Sequence, residues 1–240
     1  MRLGRRRVLA IVRKDLREYR RNRSLLVTMA IFPLIFLIQP LVVVFLAPNS
    51  TSTYLTHLHL LLYMLAIPVL VPAAIAAAAV VGERQQGTLE PVLTTPVSRD
   101  EFQLAKALGA LAPTLLVSYV VYAIFLGAVV LFAMPGVAVA LLQAPDIAAQ
   151  LVLTPLLGLW SIWVGLAIST RASDARVAQQ LSLLGSLPVV LVTSLVAFGT
   201  LPLTPDLAAV LVAALILGDV LGWRVVAALF DRERLITGSR

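Results

Sequence analysis

His57 and His59 stand at alternate positions and are the only two imidazoles in the chain. Such a pair could ligate a metal, but no third ligand lies near them in the sequence. The two read instead as a wetted pair at the outer end of an apolar segment. There are no cysteines, which excludes disulfides and thiolate metal sites. Hydrolytic signatures are missing too: neither H-E-x-x-H nor G-x-S-x-G occurs, and no carboxylates pair convincingly for acid–base work. Nor is there a Gly-Lys-Ser/Thr phosphate loop, so this chain has no nucleotide cradle of its own. No residue is assigned as catalytic or as a metal ligand. Two charged features remain to be explained. Asp219 is the one acid placed well inside an apolar run, and GERQQGTLEPVLTTPVSRDE at 82–101 carries six charges between long apolar stretches.

The elements that must position these residues follow from composition. The 240 residues are 60% hydrophobic and 13% charged, with mean hydropathy +0.97. Soluble domains are less apolar and about twice as charged, and cannot hide several apolar runs of about twenty residues. The sequence therefore predicts an all-α membrane protein, a single transmembrane domain over 1–240 with six transmembrane helices. The spans fall at about 25–46, 58–81, 104–132, 147–169, 179–199 and 207–229.

Charge placement sets the orientation. All nineteen Lys and Arg lie in 1–24, 82–106, 170–178 and 224–240, and the alternate loops 47–57, 133–146 and 200–206 hold none. Basic residues accumulate on the cytoplasmic side, so a multi-pass protein of the cell (inner) membrane with both termini cytoplasmic is expected. The net charge of +7 belongs to juxtamembrane anchors beside lipid, not to a nucleic-acid surface. The first apolar run exceeds the roughly 7–15-residue core of a cleavable signal, and an Arg-rich segment precedes it, so an uncleaved first span is expected.

Residues 5–24 predict an amphipathic interfacial helix. Val8, Val12, Leu16 and Tyr19 share a stripe, while Arg13, Arg17, Arg20 and Arg21 lie away from it. In 82–101 the second span runs past Gly82 and stops near Gly87, a residue suited to a left-handed helix end. Thr88 then caps a short helix over about 89–94, with Glu90 and Pro91 in its first turn. Ser98 and Glu101 form a capping box flanked by Val97 and Phe102, which starts the third helix before its apolar part. The stretch is a compact cytoplasmic element presenting Leu89, Val92 and Leu93 among Glu83, Arg84, Glu90 and Arg99.

GERQQGTLEPVLTTPVSRDEFQLAKAL resembles the cytoplasmic loop of ATP-binding cassette (ABC) type-2 exporter permeases. The matching residues are Glu83, Gly87, Thr88, Leu89, Glu90, Leu93, Thr95, Pro96, Val97, Ser98, Arg99, Glu101 and Lys106, with Ala105 where the family usually has Gly. RKDLREYRRNRSLL is similar to the family's connecting helix, and ALFDRERLI to its Arg-rich exit from the sixth span. The resemblance implies a membrane-spanning exporter subunit whose 82–101 region is a coupling helix contacting a cytosolic ABC ATPase, present in two copies. It also implies a second permease subunit, the same or homologous. ATP and Mg would be bound by the partner ATPase, with no cofactor in this chain.

Polar stripes are the candidates for a substrate pathway or subunit interface. Gln179, Ser182, Ser186 and Thr193 fall on one face of the fifth span. Ser24, Thr28 and Gln39 share a face of the first, beside Pro40. Thr114, Ser118 and Tyr122 repeat on the third. Helix–helix hydrogen bonding is the competing role for each, and Gly158, Ser161 and Gly165 of the fourth span read as packing residues. Asp219 has no evident partner, because Arg224 lies about 140° around the helix from it. The alternative function is an ATP-independent transporter or channel subunit, for which inverted repeats or paired buried charges are expected and no repeat is evident.

Overall fold

A computed structural model describes residues 4–48, 52–85, 87, 97–202 and 204–229, with Ser24, Thr28, Ser52 and Thr53 described at the backbone only. Helix α1 covers Arg5–Arg21, and Asn22 then caps α2, Arg23–Leu46, by accepting the Leu25 N–H at 3.3 Å. Two short helices follow, α3 (Ser52–Leu55) and α4 (Leu60–Tyr63), before the long α5, Ala66–Gln85. The sequence expects one uninterrupted second span, whereas α4 and α5 are separated at Met64 and Leu65. Pro68 explains the break, since it has no N–H for the Met64 carbonyl and its ring crowds that oxygen.

The remaining helices are α6 (Arg99–Phe132), α7 (Pro135–Leu141), α8 (Ala144–Arg171), α9 (Ala175–Ala197) and α10 (Pro205–Leu229). The capping box at the start of α6 is complete: Ser98 Oγ accepts the Glu101 N–H, and Glu101 Oε2 accepts the Ser98 N–H at 2.9 Å. Asp174 caps α9 by accepting the N–H groups of Arg176 and Val177, and those bonds hold its carboxyl below the usual range. Gly199 ends α9 with φ +68°; a Cβ there would lie 2.7 Å from the His57 carbonyl oxygen. Loop positions 47–57 and 133–146, expected as plain connections, contain α3 and α7, which pack on each other.

Among the described residues, six helical segments are long and apolar enough to cross a membrane, so the chain is an all-helical multi-pass membrane protein. One end of the bundle carries α1, Gln85, Arg99 and the α8–α9 connection; it is called the basic end below. Helix α5 is the axis, with all but four of its residues buried. It packs most extensively on α8, then on α9, α6 and α2. The Ala-rich run 73–79 permits this, because its small side chains let Gly165 of α8 approach the backbone; a Cβ on Gly165 would sit 2.8 Å from Ala76 Cβ and 3.1 Å from the Ala73 oxygen. By contrast α2, α9 and α10 leave large apolar side chains such as Leu34, Ile38, Leu184, Leu191 and Leu217 exposed, as a lipid solvent permits.

Candidate functional site

Helix α1 lies on α6, and the contact is ionic at its centre. Lys106 Nζ is 3.0 Å from Asp15 Oδ1, 3.1 Å from Asp15 Oδ2 and 3.0 Å from Glu83 Oε1, joining α1, α6 and the end of α5. Lys14 donates a second ammonium to Glu83 and lies 4.0 Å from Glu18. Asp15, Glu83 and Lys106 are each at least 95% buried. Burial pushes the Asp15 carboxyl upward, and the Lys106 ammonium offsets only part of that. For Lys14, burial opposes the charge, yet the bond and attraction to Glu83 leave its ammonium above the usual range. Oxygens of Asp15, Glu18 and Glu83 lie within 4.8 Å of one another, and the two lysines supply the positive charge this cluster needs. Removing one member of such a network leaves an uncompensated buried charge.

This cluster was half visible in the sequence. Glu83 and Lys106 belong to the loop motif, whereas Asp15 lies in the connecting-helix segment RKDLREYRRNRSLL and is given no role of its own. The available signal was its position: Asp15 falls between Val12 and Tyr19 on the apolar stripe of α1, where a lone acid needs a buried cation. The stripe is only partly covered by protein, with Val12 and Leu16 half-buried. Val8 and Tyr19 are buried, and α1 packs on α6.

The two flanks of the 82–101 stretch are both anchored. On the α5 side, Arg84 donates to the Ala172 carbonyl and Gln85 Nε2 to the Ser173 carbonyl at 3.3 Å. Gly87 has φ +67° and donates its N–H to the Arg84 carbonyl, closing the helix end. On the α6 side, Glu101 Oε1 accepts the Gly4 N–H at 2.6 Å, and Arg7 lies 3.6 Å from Oε2. Arg99 opens α6. Thr88, Leu89, Glu90, Pro91 and Leu93, with the short helix expected over 89–94, lie outside the described residues.

Polar residues in the spans divide by surroundings. Ser182 and Ser186 are fully buried on α9, the Ser186 hydroxyl donates to the Ser182 carbonyl at 2.9 Å, and Gln179 Nε2 reaches the Ala74 carbonyl of α5 at 3.4 Å. Thr193 donates to the Val190 carbonyl at 3.0 Å. Gln39 is half-buried on α2, and the side chains of Ser24 and Thr28 lie outside the description. Thr114 donates back to the Ala110 carbonyl, while Ser118 Oγ and Tyr122 OH are buried without hydrogen-bond partners among the described residues.

At the far end, His57 is exposed, as a wetted residue should be, but His59 is not simply wetted. His59 Nδ1 lies 2.7 Å from Asp146 Oδ1 at the first turn of α8, and Asp146 is 1% exposed. The sequence reading overlooked Asp146 because it sits in a loop expected to be plain. The acid is brought to His59 by the packing of α4 and α5 on α8, and close by Gln143 Nε2 donates to the Thr56 carbonyl at 3.1 Å.

Between α8, α9 and α10 lies an almost wholly apolar chamber of about 280 Å³, walled by Leu157, Trp160, Val192, Thr193, Ala214 and Leu215 among others. Asp219 is one turn beyond Leu215. Both its carboxyl oxygens are buried and neither has a hydrogen-bond partner among the described residues.

No curated protein matches the chain. A family model described as ABC-2 family transporter protein matches residues 9–211, from the middle of α1 into α10. That match takes in the ionic cluster, both anchored flanks and five complete spans. The chain belongs to the ABC-2 family of transporter proteins.

Proposed function

We propose that this chain is the membrane-spanning permease subunit of an ABC exporter, coupled through residues 82–101 to a separate cytosolic ATPase subunit. The observation that carries the reading is the mounting of that stretch. Glu83 and Arg84 fasten one flank, and Glu101 and Lys106 the other, to α1 and to the α8–α9 connection. A docking element held at both ends transmits a push to the spans, where a slack loop would absorb it. In this reading the basic end is cytoplasmic, the side on which Lys and Arg accumulate. Leu89 enters an apolar cleft of the ATPase with Glu90 and Arg99 around it. Two ATPase copies and a second permease subunit complete the assembly, and ATP and Mg stay with the ATPase. The polar face of α9, with Gln39, forms the substrate pathway or subunit interface.

The test is a split phenotype. Leu89→Asp places an unpaired charge in the cleft and is expected to abolish ATPase recruitment and export while the membrane level of the permease stays normal. Leu89→Met retains both. Normal recruitment with Leu89→Asp, measured by copurification in mild detergent, would place the docking element elsewhere.

A further inference from the structure

The exporter reading leaves the chamber between α8, α9 and α10 without a role. Of the side chains that line it, only Thr193 and Trp160 carry polar atoms. The Thr193 hydroxyl is engaged with the Val190 carbonyl, and Trp160 Nε1 is itself buried. Water needs two or more polar partners to settle in a cavity, so this one excludes water and favours hydrocarbon. Its floor is deep, since Leu62, Leu65, Leu157 and Val196 are all buried. Its mouth is open. Pro188 and Val192 of α9 and Ala214 of α10 are exposed, and these two helices pack on α8 far more than on each other. The chamber thus opens sideways, between α9 and α10, onto the lipid that surrounds the spans.

Depth narrows the choice of occupant. The lining residues of α9 run from Pro188 to Val196, and those of α10 from Leu211 to Leu215. At about 1.5 Å per residue they lie within about 15 Å of the Ala197 and Pro205 ends of their helices, the ends away from α1. That is one leaflet's share of a hydrocarbon core about 30 Å thick. The volume of about 280 Å³ admits roughly nine methylene groups, at the ~30 Å³ a water-sized group occupies in a liquid.

We propose that this chamber binds one acyl chain of a membrane lipid, drawn from the leaflet at that end and entering between α9 and α10. The chain fills the space that α9 and α10 leave by not meeting, and each of its carbons gains dispersion contacts from buried walls on several sides. The groove between α2 and α6 supplies the contrast. Its walls Leu26, Leu34, Leu116 and Val120 are exposed, so it is a trough on the lipid-facing surface without a buried floor. Binding of the chain is independent of the coupling reading; only the identity of the leaflet as the outer one rests on it.

The test uses the full chain in maltoside micelles, without any ATPase. The probe is a phosphatidylcholine with a diazirine midway along one long acyl chain, and adducts are mapped by peptide mass spectrometry after irradiation. Labelling of Leu65, Leu157 and Leu215 is expected to saturate as probe is added, while labelling of Leu34 and Leu116 in the groove rises in proportion to it. Unlabelled long-chain phosphatidylcholine should displace the saturable adducts, and dibutyryl phosphatidylcholine should do so more weakly by about tenfold or more, having too few methylenes to reach the floor. Ala214→Phe, which fills the chamber mouth, should remove the saturable adducts and leave the groove adducts unchanged. Chamber labelling that follows the groove's proportional rise in the unaltered chain overturns the proposal whether or not the variant folds. So does equal displacement by the short-chain lipid, which would mean that a headgroup and not a chain is held. Wild-type labelling in folded Ala214→Phe also overturns it. Unlabelled chamber walls together with a disulfide between two copies of Val192→Cys would assign the gap to a second copy of the chain. Loss of ATPase recruitment would sink the coupling reading and leave these labelling results untouched, and failure of labelling would leave recruitment through Leu89 untouched.

Discussion

Lys106 shows how one side chain organises the basic end. Its ammonium bridges Asp15 of α1 and Glu83 of α5, both buried with it, so three helices meet on a single charge. A buried pair contributes little over a well-packed apolar pair, but breaking it is costly because the remaining ion cannot regain water. Lys106→Met leaves Asp15 without its cation, while Glu83 keeps Lys14. The expected loss is about 3–5 kcal/mol, read as a lower temperature at which the detergent-purified protein loses its monodisperse peak. The double change Lys106→Met with Asp15→Leu should recover most of that loss. If the double variant is as unstable as the single, the pair is not what holds α1 in place.

Among the elements, α5 and α8 form the closest contact, and the reason is the absence of side chain. Gly165 leaves room for Ala73, Ala76 and Ala77, and any Cβ must push against backbone atoms 3.1 Å away. Gly165→Ala is therefore expected to destabilise by about 1–3 kcal/mol through overpacking, despite the better helix propensity of alanine. Gly127 of α6 supplies the contrast, since nothing lies within 4 Å of its hypothetical Cβ. Gly127→Ala should be neutral or stabilising by up to ~1 kcal/mol. The paired thermal-stability measurement separates a packing glycine from an incidental one. Equal effects from the two would mean that α5 and α8 are not in this contact.

For the molecule as a whole, the governing asymmetry is electrical. The basic N-terminal helix, Gln85 at the end of α5 and Ser98 at the start of α6 lie at one end, and the opposite end is capped by α3 and α7 with no Lys or Arg in its loops. The orientation is tested with single cysteines, because the chain has none of its own. Tyr54, 67% exposed beside α7, and Arg176, exposed at the start of α9, mark the two ends. In intact cells a membrane-impermeant maleimide is expected to label Tyr54→Cys, and to label Arg176→Cys only after permeabilisation. The reverse pattern would invert the topology and put residues 82–101 out of reach of any cytosolic partner.

Much of this architecture is written locally. Six apolar runs, nineteen basic residues on alternate loops and the Ser98–Glu101 cap all act within a few turns of chain or through bulk partition into lipid. Such features depend on composition and spacing, so the sequence alone determines the number of crossings and the start of α6. The loop motif 82–108 likewise carries the family resemblance without any knowledge of packing. What needed the tertiary structure are the pairings between distant residues: Asp15 with Lys106 across 91 positions, and His59 with Asp146 across 87. Each partner looks unremarkable in its own segment, an acid on an amphipathic helix or in a short loop, and its role arises only when helix faces meet. The break at Met64 and the chamber beside Asp219 belong to the same class. Which helices pack, and how deeply, is decided by the fit of residues such as Gly165 and Trp160, a property of surfaces in contact that no single segment contains.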